Sequence, residues 1–122
     1  MKKYLILLIL MLSANISFAE TYSCSASLAR FGRPNESETK TYQRIGTTFL
    51  KVSRFGKNQF QILYESDDSL ILYMVNQYSA GASLFTALIH KQKLEFTENF
   101  SSLTNLESNN SSSQTTGKCI VN

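Results

Sequence analysis

The chain has 122 residues, 43% of them hydrophobic and 17% charged, with two cysteines, one histidine and a formal net charge of +3. That length suits one domain and hides roughly two thirds of its unfolded surface, so the core is adequate without being generous. Lys2 and Lys3 belong to a leader, which leaves ten basic and nine acidic residues, net +1; a near-neutral chain has no field to gather it onto nucleic acid.

Lys2 and Lys3 form a short basic start, Tyr4 to Leu12 an apolar run, and Ser17 with Ala19 the small positions of a cleavage site. This pattern reads as a secretory signal peptide over 1–19, followed by a single β domain over 20–122. The apolar run falls short of the roughly 20 residues of a spanning helix, so no membrane span is expected. Glu20, Thr21, Tyr22 and Ser23 before Cys24 do not resemble a lipoprotein cut site. A periplasmic or secreted location follows, and in that compartment Cys24 and Cys119 are expected to pair.

Thr21 to Ser27 alternates weakly and reads as a first strand carrying Cys24. Arg30 to Gly46 holds the turn signals Gly32, Pro34, Asn35 and Gly46, and reads as a long connection with a ragged edge strand around Thr39 to Arg44. Thr47 to Phe55 and Gln59 to Glu65, joined through Gly56, Lys57 and Asn58, give a hairpin signal. Leu70 to Tyr78 follows the turn at Asp67, Asp68 and Ser69. Ser83 to His90 and then Leu94 to Phe100 continue a meander. Ser101 to Thr116, dominated by Ser, Asn and Thr, reads as a mobile low-complexity loop. Gly117 to Val121 returns as a terminal strand. A Cys24–Cys119 bond requires first and last strands to be neighbours, which curls the antiparallel meander into a barrel or a curved sandwich.

The chemistry-bearing residues are sparse. His90 stands alone, so a histidine metal cluster is excluded, and with both cysteines paired no thiolate ligand is left; neither metal nor cofactor is expected. Asp67 and Asp68 suit a solvated turn better than a calcium loop. Glu95 and Glu98, three apart on a strand, point to opposite faces and cannot act as a shared-face carboxylate pair. The stretch from Arg30 to Lys57 is locally basic, with Lys40, Arg44, Lys51 and Arg54 interleaved among aromatics. It reads as a solvated face in preference to a polyanion surface. Leu70 to Val75 is apolar on both alternating faces, which suits either a strand covered on both sides, with the basic connection folding over it, or a patch for a partner such as a second copy.

The layout of leader, small β meander and one disulfide near the termini is similar to that of periplasmic lysozyme inhibitors. Tyr78-Ser79-Ala80-Gly81-Ala82 resembles, over a handful of residues, the Ser/Gly-containing loop that such inhibitors insert into a lysozyme cleft. The chain therefore reads as a non-enzymatic binding protein for an unknown protein or envelope component. One alternative is an inhibitor of an envelope or host hydrolase such as lysozyme, binding through Tyr78, Ser79, Gly81 and Ser83 with nearby Lys91 and Lys93. A second is a small hydrolase using His90 with Asp67 or Asp68.

Overall fold

The computed structural model describes residues 20–30, 33–104 and 111–122, with the backbone alone at 27–30 and 33–37. Eight antiparallel strands follow one another: β1 (Thr21–Arg30), β2 (Arg33–Ile45), β3 (Thr48–Ser53), β4 (Gly56–Glu65), β5 (Ser69–Tyr78), β6 (Gly81–His90), β7 (Glu95–Thr104) and β8 (Ser111–Val121). Each pairs with the next, and β8 pairs back onto β1 to close a barrel. Among the described residues every strand pairs with two neighbours over at least part of its length, so none is an edge strand throughout.

The expected disulfide is present, and Cys24 and Cys119 are direct cross-strand partners on the β1/β8 seam. Gly117 lies on the same seam opposite Ala26. A Cβ there would meet the Ser25 carbonyl oxygen at 2.0 Å and the Phe96 ring at 2.7 Å, so only glycine permits this approach of the two strands.

Two segments differ from the sequence expectation. The connection expected over 30–46 is for the most part β2, thirteen residues long, paired with β1 along most of its length and with β3 over Thr41–Ile45. Its turn residues and charges hide an alternation in which Glu38, Lys40 and Tyr42 all face the barrel interior. The loop expected over 101–116 is also largely strand. Residues 101–104 end β7, 111–116 begin β8, and Ser102↔Ser111 through Glu98↔Thr115 pair in register. Ladder hydrogen bonds come from the backbone, and a polar lumen accepts serine where an apolar core would not, so composition alone misreads this hairpin. Residues 105–110 and the proposed leader over 1–19 lie outside the described residues.

Interior side chains change character along the barrel axis. Toward the end holding Glu20 and Asn122, Tyr22, Cys24, Tyr42, Phe49, Phe60, Leu70, Leu72, Ile89 and Phe96 form a buried apolar core. Burying each large member contributes about 1.5–3 kcal/mol. Phe49 faces Phe60 across β3/β4, and Tyr42 meets Phe60 edge-on with ring centroids 6.1 Å apart. On the outside, β2 does not fold over β5 but stands in the wall, so Val75, Leu84 and Leu88 remain exposed.

Candidate functional site

One end of the barrel is sealed. Past the apolar core, Arg44 donates to Glu20 Oε2 at 2.8 Å and also to Glu65, which Lys91 Nζ reaches at 3.0 Å. The Tyr22 hydroxyl donates to Glu20, and the Arg44 guanidinium lies 4.7 Å over the Phe49 ring. Burial opposes ionisation of Glu20, yet the hydrogen bonds from Tyr22 and Arg44 bring its carboxyl below the ordinary range. Glu65 is lowered in the same way: partial burial opposes Arg44 and Lys91, and the two cations win.

The other end, where β3 turns into β4 and β5 into β6, is built differently. A cavity of about 370 Å³ opens there. Its floor is four charged side chains that are almost wholly buried: Glu38 and Lys40 at 6% exposure, Lys51 and Glu98 at 7%. Their position follows from strand alternation. Tyr42 packs inward, so Lys40 and Glu38, two and four residues earlier on β2, must point inward too. Phe49 places Lys51 inside on β3, and Phe96 places Glu98 inside on β7.

Glu98 is the hub. Its Oε1 accepts Lys40 Nζ at 2.7 Å and Lys51 Nζ at 2.9 Å, while its Oε2 accepts the Tyr42 hydroxyl and lies 2.8 Å from Lys51 Nζ. Burial raises the Glu98 carboxyl, but the donors from Lys40, Lys51 and Tyr42 outweigh it and hold the group below the usual carboxylate value. The Tyr42 phenol moves the opposite way, pushed well above its ordinary value by burial and by the adjacent Glu98 charge. Glu38 is less well served. Its Oε2 lies 3.8 Å from Lys40 Nζ, and its buried Oε1 has no hydrogen-bond partner among the described residues. A buried acceptor left unmade costs about 1–3 kcal/mol, and more when charged.

Above this floor the wall is aromatic and hydroxylic. Phe85 and Phe100 pack with centroids 4.6 Å apart, and Phe55 stands at the rim. Ser53, Asn58, Ser113 and Thr115 complete the lining. With two lysines and two glutamates the floor is formally neutral.

No family model matches this chain, and no curated protein or solved structure matches it either. What the site does is therefore read from its own side chains.

The residues singled out from sequence fall into two groups. Tyr78, Ser79, Gly81 and Ser83 lie at the open end. Tyr78 and Ser79 are exposed at the β5/β6 turn, the Tyr78 hydroxyl is 3.1 Å from Ser102 Oγ, and Ser83 is buried inside. Gly81 has a steric role, since a Cβ would meet the Leu103 carbonyl oxygen at 2.0 Å. Lys91 and Lys93 sit in the β6/β7 turn at the sealed end, the full length of β6 away, about 30 Å at a strand's rise per residue. Lys91 is engaged with Glu65 there. His90 is at that end as well, its Nδ1 accepting the Lys93 amide at 3.2 Å, which commits this nitrogen to the turn.

The floor residues were not singled out as a site by sequence. Lys40 and Lys51 disappear into a basic stretch that reads as solvated, although Glu98 is correctly separated in facing from Glu95. The signal was present: Glu38, Lys40 and Tyr42 are spaced by two, and fixing Tyr42 inside fixes the other two.

Proposed function

We propose that this protein is a non-enzymatic binding protein, exported to the periplasm or beyond, that takes a small ligand in the open end of its barrel. The observation that carries this reading is the asymmetry of the ends: one is closed by an apolar core and an ion-pair cap, the other holds a cavity of about 370 Å³ over buried charges. That volume sits at the lower end of the range for small-molecule sites, and apolar walls with a few fixed polar groups are their usual make-up. The disulfide is the chemistry of an oxidising, non-cytoplasmic compartment, and export of the chain by its leader is the simplest route there. Thermal-shift screening of the purified protein against a chemically broad library of soluble metabolites tests the reading. A true ligand raises the melting temperature of the wild type and not of Ser113→Trp, which fills the rim; a library without a single rim-dependent stabiliser removes the proposal.

A second reading is supported by the β5/β6 turn. Ser79 and Ala80 are exposed at the apex, beside the same open end, and Tyr78 is tethered below them. The similarity of this turn to the cleft-inserting loop of lysozyme inhibitors makes inhibition of an envelope or host hydrolase the alternative function. Lys91 and Lys93, at the far end, would take no part. Titration against a panel of lysozymes and proteases decides it, since unchanged hydrolase activity at excess protein eliminates inhibition.

A further inference from the structure

We propose that the open end is built for a neutral polyhydroxylated ring, a carbohydrate, whose hydroxyl donates to Glu38 Oε1 while its apolar face lies against the phenylalanines of the wall. This deepens the small-ligand reading above and rests on it.

Three observations narrow the ligand class. Glu38 is 6% exposed, lines the cavity, and carries a carboxylate oxygen without a hydrogen-bond partner among the described residues. Such an oxygen is an acceptor only, so the group that completes it must be a donor: a hydroxyl, an amide or an ammonium. The neutrality of the floor then sets the ammonium apart from the two neutral donors. Glu38 and Glu98 are already matched by Lys40 and Lys51, with Lys40 Nζ 3.8 Å from Glu38 Oε2. An arriving cation would leave the buried cluster with an unmatched positive charge beside two ammoniums, which low-dielectric surroundings penalise. A hydroxyl satisfies the same oxygen without adding charge.

The walls make the same distinction. Lys51 Nζ lies 5.8 Å from the Phe85 ring centroid and 5.7 Å from that of Phe60, so these faces already attract a cation from within the protein. Phe100, packed on Phe85, and the rim residue Phe55 offer apolar surface to the C–H face of a saturated ring. Ser53, Asn58, Ser113 and Thr115 are spaced around them as groups able both to donate and to accept. A flat apolar ligand would leave these polar groups and Glu38 unanswered, and a purely ionic one would waste the aromatic wall. A ring with hydroxyls on its edges and hydrogens on its face answers both.

The test is a ¹⁵N NMR titration of the oxidised protein with two panels. The first contains glucose, galactose, mannose, N-acetylglucosamine and their β-linked dimers; the second contains glucosamine, ethanolamine and agmatine. The expected result is that at least one neutral sugar shifts resonances of Glu38, Asn58, Phe100 and Thr115, and that glucosamine binds at least about tenfold more weakly than N-acetylglucosamine or glucose. Glu38→Met, which keeps the length of the side chain and removes both acceptor oxygens, should weaken the sugar about tenfold or more. The wild-type shift map stands independently if that variant does not fold. Shifts at the mouth with ethanolamine or agmatine but with no neutral sugar overturn the carbohydrate assignment and leave the small-ligand reading standing. A mouth silent to every neutral sugar overturns it as well, the broader reading then being judged by its own library screen. Equal binding by a folded Glu38→Met removes Glu38 from the site.

Discussion

Replacing Glu98 with glutamine keeps the shape of the hub and removes its charge, which takes the barrel floor from neutral to a net +1 with Lys40 and Lys51 both buried. Hydrogen bonds to charged groups contribute about 1.5–3 kcal/mol each, and breaking a buried pair by removing one member costs about 3–5 kcal/mol. Glu38, 3.8 Å from Lys40, can still partner one of the two ammoniums. The expected loss is therefore at the low end, about 3 kcal/mol. That is a large part of the roughly 5–15 kcal/mol by which a domain of this size is stable. With a urea slope of about 2 kcal/mol/M, the midpoint should fall by about 1.5 M. The second arm is Lys51→Met: alone it leaves the floor at −1, and combined with Glu98→Gln it restores neutrality. The double variant should accordingly lose less than the sum of the singles, by about 0.5–3 kcal/mol. Urea unfolding at neutral pH, followed by far-ultraviolet circular dichroism with the disulfide intact, measures all three. A loss below about 1 kcal/mol for Glu98→Gln, or strict additivity, would refute the hub.

Removing the cross-link in Cys24→Ala/Cys119→Ala frees a loop of 95 residues and should lower stability by about 4–5 kcal/mol in the chain-entropy account; an unchanged urea midpoint would contradict it. Glu20, Glu65 and Glu98 all sit below the usual carboxylate value of 4.5 in the folded protein. Their contribution is present in full above the unfolded-state value and drains away as pH falls through the lower folded values. Melting temperature should thus be flat from neutral pH down to about 5 and drop below about 4.5, and Glu98→Gln should blunt the drop. Gly117→Ala forces a Cβ to within 2.0 Å of the Ser25 carbonyl and should open the β1/β8 seam at a cost of about 2–3 kcal/mol. Exchange of the Cys119 amide, which donates to the Leu94 carbonyl at 2.7 Å, should quicken in that variant, and an unaltered rate would argue against seam strain.

Much of the barrel was legible in the residues. Strands β3 to β7 announce themselves by alternation and by turns at Gly56 and Asp67–Ser69, and two cysteines near opposite ends demand the β1/β8 neighbourhood that closes the sheet. The expectation of loop at 33–38, 101–104 and 111–116, where the structure has strand, shares one cause. Alternation of apolar with polar residues marks facing only where one face is apolar, and toward the open end both faces of β2 and β8 are polar. Glu38 and Lys40 face in while Thr39 and Thr41 face out; Ser113 and Thr115 face in while Gln114 and Thr116 face out. Pattern alone carries no facing there, and it had to be imported from Tyr42 and Cys119 further along the same strands. The apolar second face that holds Val75, Leu84 and Leu88 is legible in the residues, but its exposure depends on the course of β2.

The same strands that carry the core also carry the site, and this has an energetic consequence. Going toward the open end, interior positions run Tyr42, Lys40, Glu38 on β2; Phe49, Lys51, Ser53 on β3; Phe60, Asn58 on β4; and Cys119, Gly117, Thr115, Ser113 on β8. Apolar residues of similar size in place of the buried charges would be neutral or stabilising by about 1–4 kcal/mol in a barrel that needed only to fold. The floor is thus a local cost, offset at the other end by the cross-link, the aromatic core and the ion-pair cap. Rigidity is what the arrangement gains. Glu98 holds Lys40, Lys51 and Tyr42 through its two oxygens, and Glu38 and Lys40 stand on the part of β2 that pairs with β1. Within this self-satisfied cluster, among the described residues, Glu38 Oε1 is the acceptor left unmade. Lys40 and Lys51 are already engaged by Glu98, so under the small-ligand reading proposed above a donor reaching Glu38 Oε1 from the cavity would add selectivity beyond what the size of the cavity gives.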